Sequence, residues 1–225
     1  MKKYKTVLLD ADNTLFDFNK AEKCAIKETF ANFDIICNDE LSSLYHEIND
    51  KYWKKLERKE VTKEQLDTYR FKDIFDLYGF NIDPLEFNNT YKNNLSKQSF
   101  LLANAEEIVK YLYNLGLKLI ISSNGSSTIQ HSRINNSTIK KYIYAVYTSQ
   151  EAVHTKPSKE FFDMLFNKFN LDRETTILIG DSPTADIKGG VIYNIDTIFF
   201  SPNGETCSDA TYTVKSLLDI KKIIY

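Results

Sequence analysis

Residues 4–16 read YKTVLLDADNTLF, a short apolar run followed by acidic and polar residues. Residues 6–9 are apolar or β-branched, which is the composition of a strand buried in a parallel sheet. Asp10, Asp12 and Thr14 follow directly, and open α/β sheets bind their ligands at this end of a strand. Charges there cost free energy unless a metal, a donor or a substrate compensates them. Because Asp and Asn are also common turn residues, the segment by itself is equally consistent with a polar turn.

The composition is that of a globular protein with balanced charge. The 225 residues include 29 basic and 31 acidic side chains, and the net charge is −2. This balance gives no general attraction to nucleic-acid polymers or to anionic membranes. No signal peptide or transmembrane segment is recognisable, and Cys24, Cys37 and Cys207 are too far apart for a metal-binding knuckle. We therefore expect a cytoplasmic protein, a monomer or a homodimer, with reduced thiols and no membrane or nucleic-acid polymer as partner.

A long helical segment follows the first strand. Apolar residues recur at helical spacing within residues 17–97, without a convincing buried strand. Asp39 and Thr62 are predicted N-caps, Thr62 with Gln65 at the spacing of a capping box, and Gly79 is predicted to end a helix. Such a segment is too long for a loop. We predict that it forms a helical cap domain, inserted above the carboxyl edge of the sheet, where it can act as a lid.

Helices and strands alternate in the remainder of the chain. Apolar runs predict strands at residues 117–121, 145–148, 176–179, 195–200 and 212–214. Helices are predicted at residues 104–115, 127–142 (interrupted), 158–169, 186–193 and 217–224, with a loop between residue 148 and Lys156. Strands joined by such helices form right-handed crossovers and a parallel sheet. We predict an α/β protein with a doubly wound parallel sheet, a core domain built from residues 1–16 and 98–225.

Polar side chains follow the predicted strands at one edge of this sheet. They are Asp10, Asp12, Thr14, Ser123, Asn124, Lys156, Asp181 and Asp186. In a doubly wound sheet these side chains converge on one crevice. Carboxylates, a hydroxyl group and a lysine suit a phosphoryl group bound together with Mg²⁺, which prefers hard oxygen ligands.

In this order the polar residues resemble the motifs of the haloacid dehalogenase-like (HAD) hydrolase superfamily. The four motifs are Asp10-x-Asp12-x-Thr14, Ser123 after an apolar strand, Lys156, and Gly180-Asp181-Ser182-x-x-x-Asp186. Each motif alone has low specificity, but the ordered set, with an insertion after the first strand, covers essentially the whole chain. The resemblance implies a Rossmann-like core, a cap domain and a Mg²⁺-dependent phosphoryl transfer.

The resemblance also implies a two-step reaction. Asp10 is expected to attack phosphorus and form an aspartyl-phosphate. Asp12 is expected to protonate the leaving alkoxide and then to deprotonate the water that hydrolyses the intermediate. A halide leaves without a proton, so the second carboxylate favours a phosphate ester over a haloacid. Phosphoglucomutases keep both carboxylates and are not excluded.

Binding roles follow from the same resemblance. The expected Mg²⁺ ligands are Asp10, the backbone carbonyl of Asp12, and Asp181. The expected phosphate-binding residues are Ser123, Asn124 and Lys156, the last of which offsets charge in the transition state. Supporting roles are expected for Thr14 and Asp186.

Part of the insertion resembles one subgroup, the YjjG/YfnB-like 5′-nucleotidases. The resemblance lies in residues 53–57, 60–62 and 64–66 and in Arg70-Phe71, and it extends to residues 15–18 and to Ser123-Asn124-Gly125. Two features depart from it: Lys59 stands where Gly is common, and Ser122-Ser123 replaces an apolar residue followed by Thr. The subgroup implies a small phosphorylated substrate, a nucleoside 5′-monophosphate, with pyrimidine nucleotides favoured.

Substrate choice is expected to depend on aromatic and basic side chains in or beside the insertion. The candidates are Phe16, Phe18, Trp53 and Arg70. Aromatic residues in amphipathic helices more often pack than bind a ligand, and Arg70 could equally pair with an acidic neighbour. Alternative functions are a phosphatase or phosphomutase for another small phosphate ester, such as a sugar phosphate, or a non-catalytic binding protein.

Overall fold

The computed structural model describes residues 4–225. The chain divides into two compact units. One combines the chain up to Asp17 with Ser99–Tyr225, and the other consists of Phe18–Gln98. We call them the core unit and the cap unit. The polar segment after the first strand belongs to the core unit.

The core unit contains a parallel sheet. Its described strands are β1 (Thr6–Leu9), β2 (Lys118–Ser123), β3 (Ala145–Thr148), β4 (Thr176–Gly180), β5 (Asp196–Phe200) and β6 (Tyr212–Val214). They lie in the order β3-β2-β1-β4-β5-β6, and every neighbouring pair is parallel. The strand order reverses beside β1, which is where doubly wound sheets form their ligand crevice. The predicted α/β fold is confirmed.

The central strands have apolar side chains on both faces of the sheet. Val7 and Leu9 belong to one hydrophobic cluster and Leu8 to the other, because side chains alternate along a strand. Leu9 lies opposite Ile121 of β2 and Ile179 of β4. Each of these three strands ends at, or within two residues after, its residue in this row. The polar segments that follow the strands therefore meet at one edge of the sheet.

The cap unit consists of helices. They are α1 (Phe18–Asn32), α2 (Asp39–Glu57), α3 (Lys63–Tyr78) and α4 (Pro84–Ser96). The predicted capping box of α3 is confirmed, since Thr62 Oγ1 accepts from the Gln65 amide at 3.2 Å and Gln65 Oε1 accepts from the Thr62 amide at 2.9 Å. The predicted end of α3 is also confirmed: Gly79 has a φ of 71°, a left-handed conformation that closes helices.

The prediction of Asp39 as the N-cap of α2 was wrong. Asn38 is the N-cap, and its Oδ1 accepts from the Leu41 amide at 2.8 Å. Asp39 is in the first helical turn and forms ion pairs with Lys23 at 3.0 Å and Lys27 at 2.9 Å. Asn and Asp are both good N-caps, so two adjacent candidates cannot be ranked from their types alone.

Helices also flank the sheet of the core unit. They are α5 (Ala105–Asn114), α6 (Ser127–Asn135), α7 (Ser149–Ala152), α8 (Lys159–Phe169) and α9 (Lys188–Tyr193), with 3₁₀ turns at Lys140–Tyr142, Arg173–Thr175 and Leu217–Lys222 and a π-helical turn at Pro183–Ile187. Among the helices within residues 4–225, none is long and apolar enough to cross a membrane.

Three details of these helices differ from the prediction. The segment predicted as a loop contains α7, which Glu151 caps by accepting from the Thr148 amide at 3.1 Å. The carboxyl-terminal helix is a 3₁₀ turn. The helix predicted at residues 186–193 starts earlier, as the π-helical turn. Asp186 Oδ2 accepts from the Ser182 amide and Ser182 Oγ from the Ala185 amide, each at 3.1 Å, so side chains shape this turn.

Candidate active site

Lys156 and Asp10 form a buried ion pair at the end of β1. The Lys156 side chain is 1% exposed, and its Nζ donates to Asp10 Oδ1 at 2.8 Å. It also donates to the Ser122 carbonyl and to Asp186 Oδ1, both at 2.6 Å. An ammonium group has three N–H donors, so these three acceptors satisfy it fully. Burial lowers the pKa of Lys156, but the two carboxylates outweigh burial and raise it, which keeps the lysine charged.

Three carboxylates share this edge of the sheet. One oxygen each of Asp10, Asp181 and Asp186 lies within 4.8 Å of the others. Burial raises the pKa of Asp10 well above its usual value, Lys156 opposes this, and the neighbouring carboxylates add to it. Burial, and then the charge of Asp186, raise the pKa of Asp181 to about 7. If all three carboxylates are ionised, they outweigh the charge of Lys156 by two, and a bound divalent cation would relieve the repulsion that raises the pKa values of Asp10 and Asp181.

Thr14 and Gly180 shape the surroundings of these carboxylates. Thr14 Oγ1 donates to Asp181 Oδ1 at 3.0 Å, so the first motif orients an acid of the fourth. A Cβ at Gly180 would lie 2.2 Å from Asp186 Oδ2, and the missing side chain therefore makes room for Asp186 to reach Lys156. The contact of Thr14 is compatible with the supporting role expected for it, which stays a prediction.

Asn124 contacts the backbone of Lys156. Asn124 Oδ1 accepts from the Lys156 amide at 2.7 Å, and Asn124 Nδ2 donates to the Lys156 carbonyl at 3.0 Å. Both ends of the carboxamide are therefore occupied. The side chain thus has the contacts of a support for Lys156, and phosphate binding by Asn124, through its backbone amide, stays a prediction.

Ser123 has a hydroxyl group whose acceptor capacity is already filled. Its Oγ accepts from the Gly125 amide and from Gln130 Nε2, each at 3.0 Å. A hydroxyl group has two acceptor lone pairs and one proton. The Ser123 hydroxyl is therefore suited to donate its proton to a phosphoryl oxygen. The Gly125 amide already donates to Ser123 Oγ.

Comparison with known families agrees with this geometry. A family model described as haloacid dehalogenase-like hydrolase matches residues 7–200, a span that includes all four motifs. The chain belongs to the haloacid dehalogenase-like hydrolase family. This membership, together with the pair Asp10 and Asp12, makes it a HAD-type phosphatase.

Several HAD relatives are similar over nearly the whole chain. The pyrimidine 5′-nucleotidase PynA of Streptococcus pneumoniae (strain ATCC BAA-255 / R6) is 31% identical over 96% of this chain and 93% of its own. The pyrimidine 5′-nucleotidase YjjG of Escherichia coli (strain K12) is 24% identical over 99% and 98%. The HAD-hydrolase YfnB of Bacillus subtilis has a crystal structure bound to magnesium, with a TM-score of 0.92 and 29% identity over 99% of each chain.

The residues of this HAD site fit Mg²⁺. Hard carboxylate oxygens are its usual protein ligands, and the excess negative charge around Asp10 and Asp181 provides the electrostatic reason for binding it. Both oxygens of Asp186 already accept hydrogen bonds, from Lys156 and from the Ser182 amide. Asp10 and Asp181 are therefore better suited as ligands, and Asp186 as their support.

Two residues of the HAD site were missed by sequence reasoning. Arg133 Nη1 donates to Asp12 Oδ1, and Gln130 Nε2 donates to Asp12 Oδ2 at 2.6 Å. Both lie on α6, three residues apart, which places them on one helix face. That spacing, shortly after the Ser123 motif, was the available signal. Nothing local in the sequence indicates which way this helix face points, so neither residue could be placed beside Asp12.

The candidates for substrate choice lie in different surroundings. Phe16 is fully buried, and the Cζ atom of Arg133 lies 4.6 Å from the centroid of the Phe16 ring. This ring is therefore unavailable to stack on a base. Arg70 is buried within the cap unit, where its Nη1 donates to Asn49 and its Nη2 to Asn88, both at 2.7 Å. The expectation that these two residues set substrate choice is corrected: Phe16 packs inside the core unit, and Arg70 is held by hydrogen bonds inside the cap unit.

The other two candidates lie on cap helices. Phe18 is the first residue of α1. Trp53 of α2 packs against Lys63, whose Nζ is 4.7 Å from the ring centroid. Both rings are partly exposed, so a role in substrate choice stays a prediction for them.

Proposed function

We propose that this HAD phosphatase hydrolyses nucleoside 5′-monophosphates, with pyrimidine nucleotides favoured, through an aspartyl-phosphate on Asp10. One observation supports the chemistry above all: the two carboxylates of the first motif have different partners. Asp10 pairs with Lys156, and Asp12 pairs with Arg133 and Gln130. Two carboxylates in different surroundings can perform different tasks.

In the first step an oxygen of Asp10 attacks phosphorus while the bond to the ester oxygen breaks. Asp12 gives its proton to that oxygen, and the nucleoside leaves as an alcohol. In the second step Asp12 takes a proton from water, water attacks phosphorus, and the bond from Asp10 to phosphorus breaks. Inorganic phosphate leaves, and both carboxylates return to their starting state.

The other residues bind the phosphoryl group. The Lys156 ammonium offsets negative charge on the phosphoryl oxygens, and the Ser123 proton is suited to donate to one of them. When bound to Asp10, the Asp12 carbonyl and Asp181, Mg²⁺ would neutralise charge on the nucleophile and on the phosphoryl oxygens. Thr14, Asn124 and Asp186 keep Asp181 and Lys156 in place.

The substrate class rests on similarity. PynA and YjjG, each described as a pyrimidine 5′-nucleotidase, align with more than nine-tenths of this chain. Their alignments include the cap unit, the segment in which the subgroup resemblance lies. The nucleotide assignment therefore depends on the relatives, while the phosphatase chemistry depends on the core unit.

A substrate panel tests both parts of the proposal. Phosphate release is measured with pyrimidine and purine nucleoside monophosphates, sugar phosphates and 4-nitrophenyl phosphate, with Mg²⁺ and after metal removal by EDTA. We expect the highest kcat/KM for a pyrimidine nucleotide, loss of activity in EDTA and recovery with Mg²⁺. The strongest activity on a sugar phosphate, or isomerisation of one, contradicts the nucleotidase assignment.

Asp10→Asn tests the nucleophile. This variant should lose Mg²⁺-dependent phosphate release, and Asp163→Asn, at an exposed acid of α8, should keep it. Retained turnover in Asp10→Asn contradicts the mechanism. An inactive wild-type protein that still binds nucleotides would support the non-catalytic alternative.

A further inference from the structure

Helix α6 holds the carboxylate of Asp12 at both of its oxygens. Arg133 Nη1 donates to Oδ1, and Gln130 Nε2 donates to Oδ2 at 2.6 Å. Hydrogen bonds to charged groups are stronger than those between neutral ones. With both oxygens bound by donors on one helix, the plane and direction of the Asp12 carboxylate are set by α6.

Arg133 is itself held rigidly. Its side chain is 0% exposed, and its guanidinium lies 4.6 Å from the Phe16 ring centroid. Its Nη1 also lies 3.4 Å from Gln130 Oε1, and its backbone carbonyl accepts from Ser99 Oγ at 3.0 Å. A buried arginine with a packed guanidinium has few alternative rotamers. Burying this charge is costly without its partner, so the interaction with Asp12 accounts for its presence.

Gln130 connects two motifs. The same Nε2 that donates to Asp12 also lies 3.0 Å from Ser123 Oγ. A Cβ at residue 125 would lie 2.6 Å from this nitrogen, so Gly125 leaves the room that Gln130 needs. The glycine of the Ser-Asn-Gly stretch thereby allows a contact between α6 and the first motif.

We propose that Arg133 and Gln130 are positioning residues that aim Asp12 at the leaving oxygen of the substrate. The proposal rests on the proposed function, in which Asp12 is the proton donor and acceptor. Proton transfer requires the carboxyl group within hydrogen-bond reach of the ester oxygen. Fixing its direction before the substrate binds removes the entropic cost of finding that geometry.

The consequence is a dependence on the leaving group. A nucleoside leaves as an alkoxide that needs a proton, whereas 4-nitrophenolate is stable as an anion and leaves without one. Loss of Asp12 positioning therefore slows nucleotide hydrolysis far more than hydrolysis of 4-nitrophenyl phosphate. A loss of general stability or of phosphate binding lowers both rates together.

The experiment compares kcat/KM for uridine 5′-monophosphate and 4-nitrophenyl phosphate, with saturating Mg²⁺. This constant reports the steps up to release of the leaving group, and so it isolates the acid role of Asp12. The variants are Arg133→Met, Arg133→Lys and Gln130→Leu. His131→Gln, at an exposed residue of the same helix, is the matched control.

In Arg133→Met we expect kcat/KM to fall about 100-fold for the nucleotide and by less than about 5-fold for the aryl ester. Arg133→Lys should recover part of the nucleotide activity, because it keeps the charge without the planar donor fork. Gln130→Leu should show the same split with a raised KM for both esters, since it also loses the contact with Ser123. It serves as the test if Arg133→Met does not fold.

Equal losses on the two esters in folded variants overturn this inference and leave the proposed function standing. A wild-type protein that hydrolyses neither ester overturns the proposed function and this inference with it. A split of the expected size in at least one Arg133 or Gln130 variant, absent from His131→Gln, supports the positioning role.

Discussion

Asn124 binds both polar groups of the Lys156 backbone. Its Oδ1 accepts from the lysine amide at 2.7 Å, and its Nδ2 donates to the lysine carbonyl at 3.0 Å. Asn124 follows β2 directly, and Lys156 lies four residues after α7. The two hydrogen bonds therefore fix the origin of a side chain whose ammonium must reach Asp10, Asp186 and the Ser122 carbonyl together.

Asn124→Asp should weaken this arrangement while keeping the side-chain shape. One carboxylate oxygen can still accept from the Lys156 amide, but the other opposes the Lys156 carbonyl, which loses its donor. We expect a loss of about 1–3 kcal/mol in the free energy of unfolding and a fall in kcat of about 10-fold, measured by urea denaturation and phosphate release. Asn136→Asp, at an exposed residue after α6, is the control. Unchanged kcat in Asn124→Asp would show that Lys156 does not need this support.

Asp186→Ala should be strongly destabilising, because Lys156 loses one of its two carboxylate partners. The side chains of Lys156 and Asp186 are each only 1% exposed. Breaking a buried ion pair costs about 3–5 kcal/mol, and we expect the lower end because Asp10 remains. Denaturation in metal-free buffer measures the effect. Asp163→Ala removes a solvent-accessible partner of Lys159 and should cost much less, because ion pairs open to solvent contribute little to stability. Equal losses in the two variants would contradict the buried role.

Val153→Gly should stabilise the protein. Val153 has a φ of 57° and is 81% exposed, so a β-branched residue occupies a left-handed conformation while little of its side chain is buried. That conformation costs about 1–2 kcal/mol, while glycine loses about 0.5–1 kcal/mol more entropy on folding. The net gain of about 0.5–1 kcal/mol is measurable as a rise in Tm. Val153→Ala, which keeps the Cβ, should gain less, and a lower Tm in Val153→Gly contradicts the prediction.

His46 should titrate above its ordinary value of 6.5. Its Nδ1 lies 2.5 Å from Oε2 of the buried Glu22, and this hydrogen bond is the main cause of the raised pKa. A raised folded pKa means that the stabilisation is complete below 6.5 and is lost as the pH rises through the folded pKa. NMR titration should show a lower His46 pKa in Glu22→Gln, and stability in that variant should vary less above pH 6.5. An unchanged pKa contradicts the interaction.

Local chemistry explains what could be predicted from the sequence. The β-branched and apolar composition of residues 6–9 favours a buried strand, and the capping box at Thr62 and the left-handed Gly79 depend only on neighbouring residues. The four motifs could also be placed at one edge, because parallel strands end at the same side of a sheet. Asp10, Lys156, Asp181 and Asp186 accordingly lie together.

Competition between similar local options explains part of what could not be predicted. Asn38 and Asp39 are both good N-caps, and the ion pairs of Asp39 with two lysines of α1 depend on how α1 and α2 pack. The π-helical turn at Pro183–Ile187 similarly depends on Asp186, which must satisfy the Ser182 amide and Lys156 at once.

The fold and the grouping of the four motifs at one sheet edge follow from the sequence, because apolar periodicity predicts the strands and parallel strands end at the same side of a sheet. The residues that contact and support the motif side chains become visible only in the folded chain. Asn124 binds a backbone 32 residues away, and Arg133 binds a carboxylate 121 residues away. Such contacts depend on the direction of a helix face or loop after packing, which residue types do not specify. The contact between Arg133 and Asp12 therefore had no local signal in the sequence.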